Sequence, residues 1–325
     1  MPLIGSKSKV IVYAIVNNNK IAIELPFRSE SINPRFNNIN SSEALFGKRT
    51  PVGVYVGNKT YEGSIDVELF DATDAADPTL DTYRHSLLAF LFWSILGNYD
   101  SATSKVSLNT TNAPKIEAIE VIHDSSTVVY TDVYLSGFSV RFPVDGIPTA
   151  TLDVRAASTG SAPTGHILVL TADDFVEFYK ADNLTLYVNN DEISNKVYNF
   201  EFTLNQNLID YFTYGSLNAA GIDAGNLELA EINIEYYPSD VATIDLNAAL
   251  ETAFANGTQS SVSVALGVKS LVDATKEAKI TLASPFVVEF SHDISGPEYI
   301  TARLGLRESA DEITIEGVKI KTANN

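Results

Sequence analysis

Apolar and polar residues alternate with a period of two along much of this chain, the spacing that puts one face of a β-strand on a core and the other in water. KVIVYAIV and KIAIELPF, within residues 8–27, read as two strands turning at Asn17-Asn18-Asn19. Val52, Val54 and Val56 alternate with Gly53 and Tyr55, Gly57-Asn58 offers a turn, and Tyr61 to Phe70 resumes the alternation, so the pattern predicts a hairpin. The period then changes. From Leu87 to Leu96 only Ala89 and Ser94 are not large and apolar, which predicts a helix covered on most sides. Asp81 or Thr82 is placed to N-cap it, and Gly97 stands at the C′ position.

Further alternating runs predict strands at Lys105 to Leu108, Ile116 to His123, Ser126 to Leu135, Phe138 to Phe142 and Pro148 to Ala156. HILVLTA opens the second half as a strand. Thr171 then caps a short helix, ADDFVEFYKA, with Asp174 completing a capping box. Strands follow at Leu184 to Val188, Val197 to Leu204 and Leu227 to Tyr237. Leu246, Ala249, Leu250, Ala253 and Phe254 form a helical stripe between Asp245 and Gly257. The last strands are Ser261 to Ala265, Lys279 to Leu282, Phe286 to Phe290, Tyr299 to Leu306 and Glu312 to Ile320. One long segment, Arg28 to Pro51, shows no period. It is rich in Asn and Ser with Phe36, Ile39, Leu45 and Phe46 scattered through it, which predicts a loop docked on its own chain or on a neighbour.

The order of elements recurs. SIDVELF (64–70) matches EINIEYY (231–237), and the helix ending at Gly97 matches the one ending at Gly257. FSVRF (138–142) matches FVVEF (286–290), and TLDVRAAS (151–158) matches RLGLRESA (303–310). Two copies make a tandem protein, not a solenoid. The expected fold is mainly β: two tandem β-sandwich or barrel domains, 1–157 and 166–325, each with a flanking α-helix, joined by a turn-rich linker at 158–165.

A chain of 325 residues with a hydrophobic fraction of 45% can fill two cores. Cysteine is absent, so disulfides and thiolate metal sites are excluded, in keeping with a reducing compartment. The N-terminal apolar run, Val10 to Val16, lacks a cleavage site, and Leu87 to Leu96 is too short for a bilayer span, so a soluble, unexported protein is expected. Acids outnumber bases 41 to 22, a net charge of −19. That balance disfavours tight wrapping of nucleic acid and suits either solubility or a wall that repels a polyanion.

Catalytic patterns are missing. The histidines are His85, His123, His166 and His292, and in His123-Asp124-Ser125 and His292-Asp293 neighbouring side chains on a strand point to opposite faces. Neither a nucleophile elbow nor a phosphate-binding glycine loop occurs. No catalytic, cofactor-binding or metal-ligating residue is therefore assigned, and a non-enzymatic role is expected. Asp71, Asp74, Asp77 and Asp81 offer the oxygen ligands Ca²⁺ takes, but without EF-hand spacing. The other reading of that stretch is a solvated connection ending in a helix cap.

EGSIDVEL (62–69), entered from a G-x-x-x-G-N hairpin, preceded by the Asn/Ser-rich loop and followed by the apolar helix, together with a late F-x-V-x-F strand, resembles the tail tube proteins of long-tailed bacteriophages and related viruses. The resemblance implies small β-sandwich domains joined edge to edge into rings, and rings stacked into a hollow tube through which the viral genome passes. For a tandem chain it implies homotrimeric pseudo-hexameric rings, other tail proteins at the tube ends, DNA only as transient cargo, and no membrane. Its place would be the virion tail, assembled in the host cytoplasm. By the same analogy Phe36, Ile39, Leu45 and Phe46 make contacts between rings or subunits. Leu208, Tyr211 and Phe212, in the second-half counterpart near 205–226, do likewise. The second half departs from the pattern: it lacks the EGS turn, and its helix is less apolar. The rival expectations are a distal tail or baseplate ring protein, a two-domain adhesion module, and an enzyme gathering His123 or His292 with carboxylates.

Overall fold

The computed structural model describes residues 8–41, 53–72, 85–124, 126–180, 183–194, 196–213, 216, 218–237, 248–270, 276–295 and 299–322. The first half contains β1 (Lys9–Val16), β2 (Asn19–Leu25), β3 (Phe27–Glu30), β4 (Asn33–Ser41), β5 (Gly53–Glu68) and β6 (Phe70–Ala72). After these come α1 (Ser86–Leu96), β7 (Gly97–Asp100), β8 (Lys105–Leu108), β9 (Lys115–His123), β10 (Ser126–Phe142) and β11 (Thr149–Thr159). The second half holds β12 (Ile167–Leu170), β13 (Phe175–Phe178), β14 (Leu184–Val188), β15 (Asp191–Ser194), β16 (Val197–Tyr211), β17 (Gly221–Leu227) and β18 (Ala230–Tyr236). It ends with α2 (Ala248–Asn256), β19 (Val264–Lys269), β20 (Glu277–Leu282), β21 (Phe286–Ser295), β22 (Tyr299–Glu308) and β23 (Ile313–Glu316). The protein is mainly β with a helix in each half, as its pattern predicts.

Several local expectations change. The aperiodic segment is not a loop from 28 to 41: β3 and β4 pair antiparallel with β5, from Phe27↔Val67 through Asn33↔Glu62 to Ser41↔Gly53. A ladder is built by backbone groups, so an arm that leaves the core can be a strand with no apolar alternation to betray it. Gly57-Asn58 is not a hairpin turn either. β5 runs straight through it, and the register steps from Phe36↔Lys59 to Asn38↔Val56, so the dipeptide sits in a bulge. The capping box at Thr171 is present, with Thr171 N donating to Asp174 Oδ2 at 2.8 Å, but it closes only one 3₁₀ turn. Phe175–Phe178 then becomes β13 and pairs with β6, where the Phe70 and Phe178 rings lie 4.2 Å apart. Helix α1 is N-capped by His85, at a left-handed φ of 56° and with no side-chain cap hydrogen bond, and not by the predicted Asp81 or Thr82. Those two residues, and Asp245 and Leu246 of the second helix, lie outside the described residues.

The strands form a large sheet, β12-β2-β1-β9-β10-β16-β18-β22-β21, with β11 bridging β10 to β5 and with β3 and β4 on the far side of β5. A smaller sheet runs β15-β14-β19-β20-β23-β8-β7. Both cross the middle of the chain, at β10–β16 and at β23–β8. Helix α1 packs against β6, β7, β8 and β10, with every one of its residues buried.

The pairings repeat. β1–β2, β1–β9, β9–β10, β10–β11 and β11–β5 have their counterparts in β14–β15, β14–β19, β19–β20, β21–β22 and β22–β18. Ile65 faces Leu152 in the first half, and Ile232 faces Leu306 in the second. The structural partner of Leu152 is thus Leu306, two residues beyond the match seen in sequence. A two-residue slip keeps every side chain on its face, so the pattern alone does not register it.

Candidate functional site: one closed seam, two open edges and an acidic sheet face

At the junction of the halves the end of β10 runs antiparallel to β16, pairing Phe138↔Leu204, Val140↔Phe202 and Phe142↔Phe200. All six side chains are buried. Helix α1 roofs this seam: the Phe92 ring stands 5.0 Å from Phe138 and 5.2 Å from Phe202, both edge to face. On the opposite, water-facing side, Arg141 Nε lies 2.9 Å from Glu201 Oε1 and clips the two strands together.

The strands that form this seam have counterparts that remain at edges. β21 stands to β22 as β10 stands to β11. Among the described residues its other side carries no strand, only the bridge Gln259↔Phe286. β3 stands to β5 as β16 stands to β18, and among the described residues it pairs with β5 alone. The chain has joined one edge of each kind internally and left one of each kind open.

The outward side chains of β5, β11, β10, β16, β18 and β22 form one polar face. Its arginines are all engaged: Arg303 Nε with Glu235 at 3.1 Å, Arg307 Nη2 with Glu231 at 2.6 Å, Arg141 with Glu201, and Arg155 with Glu62 and Asp210. Carboxylates are in surplus. Asp66 accepts hydrogen bonds from the Ser29 and Thr151 hydroxyls at 2.6 and 2.8 Å, while Glu68 adds further charge. Burial, and then the neighbouring Asp66 charge, push the Asp153 carboxyl above its usual range.

A family model described as phage tail tube protein matches residues 17–311, across the seam and both halves. The chain belongs to the phage tail tube family. Comparison with curated proteins finds no match.

In this tail tube protein the described residues among those predicted for contacts lie on or next to two long hairpin arms, β4–β5 and β16–β17. Tyr211 and Phe212 are exposed (48% and 39%), as is Phe36 (46%), whose ring the Lys59 ammonium approaches at 5.6 Å. Ile39 lies on β4 opposite Tyr55, and Leu45 and Phe46 fall outside the described residues. Leu208 points inward, onto a small cluster of Ala157, Ala219 and Ile222. Its neighbour Ile209 is the more exposed residue, at 54%. Strand alternation around position 208 carries that signal. The arms touch, through a bridge of Lys59 to Asn218 and an Ala219 N–Lys59 O bond of 3.2 Å.

Glu62 ties the β4–β5 arm to β11 at its base, accepting hydrogen bonds from both Arg35 and Arg155, and Arg155 in turn reaches Asp210 of β16. Partial burial works to raise its pKa, but the two guanidinium groups outweigh it and hold the carboxyl below its ordinary value of 4.5. A depressed folded pKa contributes stability that is full above the ordinary value and is lost as pH falls through the folded one. Protection of the Asn33–Ser41 amides from hydrogen exchange, taken relative to their intrinsic rates at each pH, should therefore fall below about pH 4.5. Glu62→Gln should lower that protection already at neutral pH and flatten its acid dependence.

The histidines do not converge. His85 is buried, with Nδ1 2.7 Å from the Tyr179 hydroxyl. His123 Nε2 stands 3.2 Å from Glu30, and the Ser126 hydroxyl near it donates to the His123 carbonyl instead of the ring. His166 meets Glu117 at 3.1 Å, and the side chain of His292 is outside the described set. No nucleophile–base pair results from these contacts. Asp71, read from sequence as part of a solvated or calcium-binding loop, is instead fully buried and accepts protein hydrogen bonds. Asp74, Asp77 and Asp81 are outside the described residues.

Proposed function

We propose that three copies of this tail tube protein, each carrying repeats 1–157 and 166–325, close head to tail into a ring of six repeats. The rings stack into the hollow tube through which the viral genome passes. The observation that carries this reading is the pair of complementary leftovers, β21 and β3. Edge strands of a monomeric sheet are normally blunted against pairing. Here the two open edges are of the kinds that already join inside the chain, so the contact is heterologous and propagates until a rotation closes it. In such a ring the polar sheet face lines the bore. Its surplus carboxylates keep the DNA phosphates from adhering, and its arginines are occupied by glutamates. The arms, with Phe36, Tyr211 and Phe212 at their surface, reach the adjacent ring, and other tail proteins cover the tube ends. Assembly takes place in the host cytoplasm, and no helix among the described residues is long and apolar enough to cross a membrane.

Negative-stain electron microscopy at rising protein concentration tests this. Hollow rings with three-fold symmetry, stacking into tubes of uniform bore, are expected. Rings that never stack would point to a distal tail ring, and single chains at every concentration would defeat the reading.

A further inference from the structure

The two kinds of seam in the proposed ring are not chemically alike, and the internal one fixes the register of the other. Through their shared partner strands, Phe138, Val140 and Arg141 of β10 correspond to Val287, Phe290 and Ser291 of β21. Phe200, Glu201 and Phe202 of β16 correspond to Phe27, Ser29 and Glu30 of β3. Inside the chain Phe142 faces Phe200, Arg141 faces Glu201 and Val140 faces Phe202.

We propose that β21 adds to β3 of the next copy in the same register, with Ser291 opposite Ser29 and Phe290 opposite Glu30, and that this seam is the weaker of the two. The His292 position then meets Phe27. The proposal rests on the ring reading.

Burial patterns agree with it. Val287 is buried and Phe290 packs on the core, while Glu289 is exposed, so β21 presents its apolar and polar sides as β10 does. Phe27 likewise packs on the core while Ser29 is exposed. Phe286 and Val288 on the same strand are 37% and 48% exposed, apolar area that an open edge leaves in water and an added strand would cover.

The contrast in strength follows from the residues. The internal seam has six buried apolar side chains, an outer Arg141–Glu201 pair and the wholly buried α1 above it. At the copy-to-copy seam two serines replace the ion pair, and Glu30 stands where Phe202 stood. The helix above, α2, buries only Leu250 and Ala253 and leaves Phe254 45% exposed. A ring built this way comes apart into whole chains, because the boundary between copies is less apolar than the boundary between repeats.

The chain lacks cysteine, so engineered thiols are the only ones present. In register, the Cα atoms of positions 29 and 291 would stand about 4.5–5.5 Å apart, within disulfide reach. A pairing of 29 with 289, one step along the same face, would be at about 8 Å and out of reach. Under mild oxidation S29C/S291C should convert most of the assembled protein into covalent oligomers ending at a closed three-chain species. S29C/E289C should yield several-fold less, and circular dichroism should confirm that both variants are folded. If rings are seen by microscopy but the offset pair cross-links better, or neither does, the register is wrong while the ring reading stands. If no ring forms and neither pair links, both fall. Rising urea should release folded single chains before strand signal is lost. Simultaneous loss of rings and fold would overturn the claim that this seam is the weaker one.

Discussion

Phe92→Ala is expected to lower the stability of the chain by about 3–5 kcal/mol, in a single transition that involves both halves. The size follows from position. Phe92 is fully buried on α1 and touches Phe138 of the first half and Phe202 of the second, edge to face, so the deletion removes both ring contacts and leaves a cavity over the seam. The single transition follows from continuity. Both sheets and the main hydrophobic cluster run across the middle of the chain, so the two halves are joined through one continuous hydrophobic cluster. Urea unfolding of the single chain should be followed by far-ultraviolet circular dichroism and by the fluorescence of Trp93, the one tryptophan, which sits beside Phe92 on the seam helix. Phe254→Ala on the exposed side of α2 serves as the control, with an expected change within about 0.5 kcal/mol. Two separated transitions, only one of them moved by the Phe92 change, would show that the halves fold independently and that the seam is a contact and not a core.

What the sequence announces in this protein is what is local. The ten-residue apolar run of α1, the capping box at Thr171 and Asp174, and the strands flanking Asn17-Asn18 follow from period and turn chemistry. There the asparagines take left-handed φ values of 48° and 66°. The repeat is also readable, because its strands are half-buried and keep their alternation. The missed features depend on partners distant in the chain. The β4 arm is a strand through backbone bonds to β5, and its side chains carry no period. Phe175–Phe178 follows a helix-like capping box, yet β6 recruits it as a strand. The seam is the clearest case. FSVRF and VYNFEFTL each look like ordinary strands, and nothing in either names the other, so the site that organises the molecule emerges only from the pairing. The polar face shows the same limit. A net charge of −19 says that acids are abundant, but only the register shows that Arg141, Arg303 and Arg307 each lie against a glutamate on the next strand.

Asp71→Ala should cost about 3–5 kcal/mol, a large effect for a single polar change, because it leaves several buried donors without an acceptor. The carboxylate is 0% exposed and accepts from four donors: Ala72 N at 3.0 Å, His85 N at 3.2 Å, the Tyr179 hydroxyl at 3.3 Å and the Ser270 hydroxyl at 2.5 Å. These donors come from the end of β6, the start of α1, the chain after β13 and the chain after β19, so one side chain pins the seam helix to elements of both halves. Tyr179 is fully buried, and burial, followed by the Asp71 charge, pushes its pKa well above 10, so it stays a neutral phenol with one proton to give. If that proton goes to Asp71, the 2.7 Å contact with His85 is made by Nδ1–H donating to the phenolic oxygen, which fixes the tautomer. Alanine leaves these donors buried and facing carbon, a penalty of about 1–3 kcal/mol for each that finds no substitute. Asparagine keeps one acceptor oxygen but turns an amine toward the donors, so Asp71→Asn should fall between alanine and the native protein. Tyr179→Phe, which removes one donor and keeps the ring, should cost less than either. Urea unfolding of the three variants orders them. Should Asp71→Ala cost less than about 1 kcal/mol, water has entered and satisfied the donors, and α1 is held over the seam by apolar packing alone.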